Sequence, residues 1–119
     1  MNIWQRMVRH TRITLQNYRA LPSPPFLILF VTSRCNMRCE HCFYWRSLNQ
    51  ADDLSLDEII NLSRSLGRVE NLSLSGGEPF LRPELSEICR QFIQTNGTRQ
   101  IYVPTNGYFT DRIVQQVSE

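Results

Sequence analysis

The sequence predicts an α/β fold: one N-terminal helix, then three strand–helix units that build a parallel sheet. Three observations predict it. Residues 26–32, Phe-Leu-Ile-Leu-Phe-Val-Thr, form a short unbroken apolar run, the pattern of a strand buried on both faces. Apolar stripes at helical spacing occupy 56–66 and 85–93. Strand-like segments at 70–75 and 100–105 alternate with those stripes, and repeated βα units imply parallel strands joined by right-handed crossovers.

Each element has its own warrant. Over residues 2–20, Ile3, Met7, Val8 and Leu15 fall near one helical face, with Arg6, Arg9, Arg12 and Arg19 mostly elsewhere. Leu21-Pro22-Ser23-Pro24-Pro25 ends that helix, because proline lacks the amide a helix interior needs, and an extended connector is expected. The strand at 26–32 then leads into a loop over 33–46. Ser55 and Glu58 stand three residues apart ahead of Leu56, Ile59, Ile60, Leu62 and Leu66, the spacing of a capping box. Gly67 is placed to stop that helix. Glu70 to Ser75 alternates polar and apolar residues, as a strand does. A second crossover helix is expected from Pro83, with Leu85, Ile88, Cys89, Phe92 and Ile93 buried and Asn96-Gly97 as its end. A third strand over Gln100–Thr105 and a helix from Thr110 complete the series.

With 119 residues the chain makes one domain, and 41% hydrophobic residues are compatible with a packed core. No apolar run approaches the ~20 residues that cross a bilayer, and no secretory signal is evident. A cytoplasmic protein without a transmembrane segment is therefore expected. The net charge of +2 is uneven: residues 1–46 hold seven arginines and one glutamate, whereas 47–119 hold six arginines and ten carboxylates. The basic N-terminal helix could meet an anionic membrane or nucleic acid. Packing against the side or bottom of the sheet is the expectation here, with His10 exposed and no nucleic-acid partner.

Chemistry concentrates in the loops after the strands, where parallel α/β folds build their sites. Cys35, Cys39 and Cys42 are spaced C-x3-C-x2-C directly after the first strand. Three thiolates suit a soft metal centre, and on a four-iron cube they leave one iron without a protein ligand. A vacant iron binds small molecules. The bland alternative is a zinc knuckle of Cys35, Cys39, His41 and Cys42, although adjacent His41 and Cys42 are awkward to aim at one tetrahedral ion. With no secretory signal, two disulfides are a poorer account of the four cysteines. Cys89 lies on the apolar stripe of its helix and reads as a core residue, with a fourth-ligand role as the alternative. Phe43, Tyr44 and Trp45 either shield a cluster or pack the loop.

The second loop reads Gly76-Gly77-Glu78-Pro79 and the third Thr105-Asn106-Gly107. Taken alone, the second is an ordinary strand-to-helix turn with Glu78 a solvated carboxylate. Together with the cysteine triplet, and in this order, it resembles the radical S-adenosylmethionine (radical SAM) superfamily. The resemblance covers residues 26–119. It implies a [4Fe–4S] cluster on Cys35, Cys39 and Cys42, whose open iron chelates S-adenosylmethionine. One electron would then cleave the cofactor to a 5′-deoxyadenosyl radical that takes hydrogen from a substrate, here unknown.

The same resemblance assigns His41 a place beside the adenine and Gly76, Gly77, Glu78 and Pro79 a place at the methionine amino group. Asn106 lies in a segment found in relatives of the molybdenum-cofactor and peptide-modifying enzymes. A flavodoxin- or ferredoxin-type protein would supply the electron. Family members have six βα units in an open (β/α)6 barrel, so the three units here amount to half of one. Residues 1–25 would be the helix and connector, and 26–119 a truncated core domain with little turnover of its own. A non-catalytic iron–sulfur or zinc-binding module is the competing reading.

Overall fold

A computed structural model describes residues 3–17, 23–50 and 52–118. The chain order is α1 (Ile3–Asn17), β1 (Phe26–Thr32), α2 (Leu56–Ser65), β2 (Asn71–Gly76), α3 (Leu85–Asn96), β3 (Gln100–Tyr102) and α4 (Thr110–Ser118). A single 3₁₀ turn, Pro79–Leu81, sits between β2 and α3. The strands are all parallel and lie in the order β1-β2-β3. This is the expected succession of one helix and three βα units. The expected helical residues 2 and 18–20, and Leu21-Pro22 of the connector, lie outside the described residues.

Strands added successively in one direction, with crossovers of one hand, put their helices on the same side of the sheet. Leu29 and Val31 of β1 and Leu72 and Leu74 of β2 therefore face Ile59 of α2 and Leu85, Ile88 and Phe92 of α3, and these form the core with Phe80. Here the structure corrects the expectation for β1. It is buried on one face only, and Phe26, Ile28 and Phe30 are 48%, 56% and 39% exposed on the other. Register aligns Phe26 with Asn71 and Gln100, and Ile28 with Ser73 and Tyr102, so these side chains share one open face.

Other boundaries shift for local reasons. The α2 helix starts with the expected reciprocal box: the Ser55 hydroxyl accepts from the Glu58 amide, and the Glu58 carboxylate accepts from the Ser55 amide at 2.8 Å. It does not end at a left-handed Gly67. Leu66 closes it in extended conformation, and the buried Asn96 amide donates to the carbonyls of Ser63, Leu66 and Gly67. Gly67 instead donates its amide to Ser23 Oγ. Gly97 does end α3 left-handed, at φ 63°. Ile93, expected in the core, is 52% exposed and lines the open cleft between α3 and α4. The α3 helix begins at Leu85 and not at Pro83: Pro83 and Glu84 form a turn, and Glu84 is the N-cap whose carbonyl accepts from the Ile88 amide at 3.0 Å.

The Glu58 pairing makes a pH prediction. Hydrogen bonds from Ser55 hold its carboxyl below the ordinary value of 4.5. A depressed folded-state value stabilises the fold above the unfolded value, and that contribution is lost as pH falls through the folded one. Ser55→Ala should lower the melting temperature at pH 7 and flatten its dependence on pH below about 4.5, as measured by circular dichroism melts across that range.

At the opposite end of the sheet, Arg9 of α1 donates to Asn71 Oδ1 at 2.7 Å and to Gln100 Oε1 at 2.8 Å. Those are the first residues of β2 and β3, so α1 docks against the bottom of the open face, as expected. His10 is exposed.

Candidate functional site

The three loops at the C-terminal ends of the strands meet on one rim, held there by backbone pairing and four polar side chains. The β1–β2 register slips between Phe30 and Thr32. Beyond the slip, Gly77 N donates to Thr32 O at 2.8 Å and Glu78 N to Arg34 O at 2.7 Å. The second loop thus runs alongside the root of the cysteine loop. A Cβ on Gly76 would fall on the carbonyl oxygen of Thr32, and one on Gly77 would fall on that of Arg34 and within 2.8 Å of Ser33 O. Gly76 also has a φ of 134°, outside the reach of most side chains. Both glycines are required by the chain's own backbone, quite apart from any ligand.

Glu78 is no solvated turn residue. It is 2% exposed, and its carboxylate accepts from the Phe80 amide (3.2 Å), the Thr105 hydroxyl (2.8 Å) and the Asn106 amide (2.8 Å). The second loop is thereby fastened to the third. Asn106 extends the tie, because its Nδ2 donates to Asn36 Oδ1 at 2.9 Å, next to Cys35. Pro79 is buried at the start of the 3₁₀ turn.

The cysteine loop is fixed at both ends. Asn49, at φ 58°, accepts from Cys35 N at 3.0 Å and donates to Cys35 O at 3.2 Å. Asp53 accepts from the Thr32 hydroxyl and the Ser33 amide at 2.8 and 2.6 Å. Buried Arg82 donates to the carbonyls of Val31 and Leu54 at 2.6 and 2.7 Å, joining the end of β1 to the approach of α2. Asn49, Asp53 and Arg82 carry no motif signal, and reading the sequence missed them, whereas Thr105 stood in the marked third loop. Only the asparagine hinted at a turn.

All four cysteines are free thiols: Cys39 is exposed, and Cys35 and Cys42 are half-buried. Met37 N approaches Cys35 Sγ at 3.4 Å, the kind of amide contact that tunes a cluster sulfur. Among the described residues, no three His, Cys, Asp or Glu side chains are gathered as a metal-ligating group. The donor set fits an iron–sulfur cluster in its chemistry: three accessible thiols on one loop, with one sulfur already met by an amide. His41 is exposed. Cys89 packs against the helical-side core, and burial pushes its thiol above the ordinary value of 9.0. That packing is what the core reading expected of Cys89.

Of the loop aromatics, Phe43 and Tyr44 contact Phe30 on the open face, with ring centroids 6.2 and 5.2 Å away. Trp45 instead carries the Arg46 guanidinium 5.1 Å from its ring centre and is 61% exposed.

Compared with known proteins, residues 29–119 match the sequence model of the radical SAM superfamily. The chain belongs to that superfamily. Among relatives of this radical SAM chain, GTP 3′,8-cyclase of Haemophilus influenzae is 38% identical over 88 residues, covering 70% of this chain and 26% of that protein. Molybdenum cofactor biosynthesis protein 1 is 34% identical in Bos taurus and 31% in Homo sapiens, over 99 residues each, covering 79% of this chain and 16% of those proteins. The chain thus spans about a quarter or less of these relatives. No helix of the described residues is long and apolar enough to cross a membrane.

Proposed function

We propose that residues 26–119 are the cluster- and cofactor-binding half of a radical SAM enzyme, three βα units of an open (β/α)6 barrel. Cys35, Cys39 and Cys42 would hold a [4Fe–4S] cluster, and S-adenosylmethionine would lie against the second loop. Such a pair, when bound and reduced, supplies a 5′-deoxyadenosyl radical that abstracts hydrogen from a substrate. The observation that carries this reading is the coupling of all three loops through Glu78, Asn106 and Asn36. A plain turn or a lone metal knuckle gives no reason for it.

The chain's own residues do the positioning. Asn49 orients the backbone of Cys35 from both sides. Gly76 and Gly77 bring the second loop against the cysteine loop, and Pro79 stiffens its exit. With its carboxylate occupied by three donors, Glu78 shapes the cofactor wall and does not reach outward. Asn106 is likewise held by Glu78 and Asn36, and exposed His41 is free to flank an adenine. Phe43 and Tyr44, lying on Phe30, would limit water near the cluster. The exposed Phe26, Ile28 and Phe30 face is the half-barrel's interior, and turnover by this span alone would be slight.

Anaerobic reconstitution with iron and sulfide tests the proposal. A brown protein is expected, and Cys35→Ala, Cys39→Ala or Cys42→Ala should each remove the cluster absorption. Cys89→Ala should keep it. Adding S-adenosylmethionine should change the electron paramagnetic resonance spectrum of the reduced protein. A colourless protein that retains zinc, or a spectrum indifferent to S-adenosylmethionine, would overturn the assignment.

A further inference from the structure

Asn49 carries more structure than an exposed loop residue needs. Among the described residues it is the one non-glycine at positive φ, at 58°, a backbone shape that asparagine adopts more readily than most residues. Such a departure marks a position that its surroundings dictate. Three hydrogen bonds dictate it here. Asn49 N donates to Ser33 O at 2.9 Å, its Oδ1 accepts from Cys35 N at 3.0 Å, and its Nδ2 donates to Cys35 O at 3.2 Å. The side-chain amide thus pairs with both backbone groups of Cys35 as a neighbouring strand would, just past the end of β1 at Thr32. A single exposed hydrogen bond adds little. A reciprocal pair anchored by a backbone bond fixes position and direction together, and buried Leu48 anchors the chain immediately before it.

This clasp closes the segment from Cys35 to Asn49, which contains all three thiols of the triplet. Within the segment, Met37 N donates to Cys35 Sγ at 3.4 Å. That contact depends on the orientation of Cys35, whose backbone Asn49 holds. Cys39 and Cys42 belong to a later turn, in which Cys42 N donates to Cys39 O at 3.1 Å.

We propose that Asn49 is a positioning residue for the cluster: by fixing Cys35 it keeps the Met37 amide on that sulfur, which raises the cluster's reduction potential and slows its loss. The inference rests on the cluster reading proposed above. Its cause is electrostatic. A reduced cluster carries one more negative charge, spread in part over its sulfurs, and an amide dipole aimed at one of them favours that state. Groups that orient metal ligands from behind contribute about 10–100-fold to metal affinity.

Asn49→Gly tests this, since glycine suits the left-handed backbone and removes only the side-chain part of the clasp. Gln50→Gly, next door and exposed, controls for added chain flexibility. Circular dichroism should show both variants folded. In the full chain before reconstitution, hydrogen exchange at Cys35 and Met37 should quicken in Asn49→Gly and keep the parent rate in Gln50→Gly. After anaerobic reconstitution with iron and sulfide, Asn49→Gly should lose iron to a chelator about tenfold faster than the parent. Titrated by electron paramagnetic resonance, its cluster should be reduced at a more negative potential. Gln50→Gly should match the parent in both measurements. Parental exchange at Cys35 and Met37 in Asn49→Gly, or parental iron loss and potential in the reconstituted variant, would overturn the inference and leave the cluster reading intact. A parent that takes up no cluster would instead overturn that reading, and this inference with it.

Discussion

Gly76→Ala should remove a large share of the fold's stability, on the order of 4 kcal/mol. The added methyl would meet the Thr32 carbonyl, and the alternative of moving away is blocked by the hydrogen bond between Gly77 N and that same oxygen. A φ of 134° adds backbone strain for any residue with a Cβ. Strain of this kind and overpacking each cost about 1–3 kcal/mol, so a combined loss on the order of 4 kcal/mol is expected. A small domain holds about 5–15 kcal/mol in total. Gly97→Ala is the control: it is left-handed too, at φ 63°, but nothing lies within 4 Å of its Cβ position. It should cost only about 1–2 kcal/mol. Urea unfolding of the two variants measures the difference. Similar midpoints would mean that the backbone contact at Thr32 does not matter.

Glu78→Ala is expected to cost about 3 kcal/mol, from the Thr105 hydroxyl and two amides that lose their carboxylate acceptor at a buried position. Glu78→Gln keeps the shape and one acceptor oxygen but turns an NH2 group toward a donor, and should recover less than half of that loss. The damage should spread beyond the second loop. Hydrogen exchange should quicken at Asn106 and also around Asn36, because the Glu78 carboxylate holds the segment that holds Asn36. Exchange confined to residues 78–81 would show that the loops are independent. Thr105→Val removes one donor without orphaning a charge and should be milder.

Elements were legible where the local chemistry is self-contained. The capping box needs only Ser55 and Glu58, and the Gly97 stop only the end of α3. Boundaries failed where a distant side chain decides them. Nothing near Gly67 announces that Asn96, on another helix, will cap α2. The strand at 100–105 pairs only to Tyr102, since Pro104 lacks an amide and β2 has by then turned toward the cysteine loop. The period of Phe26–Val31 gave the strand but not the burial, because an apolar run looks the same whether one or both faces are covered.

For the candidate site, the cysteines and glycines were readable from spacing, since their chemistry is tied to residue type. The supports were not. Asn49, Asp53 and Arg82 act through positions set by tertiary folding, and their residue types are common in any loop. Glu78 was noticed for its motif, yet its burial follows from partners 27 and 28 residues further on.

The bond between Asn36 and Asn106 joins residues 70 apart in sequence. During synthesis the cysteine segment therefore leaves the ribosome long before this restraint exists. Until the third strand and its following turn emerge, the cysteine loop is held at its root by Asn49, Asp53 and the second loop but lacks the tie through Asn36.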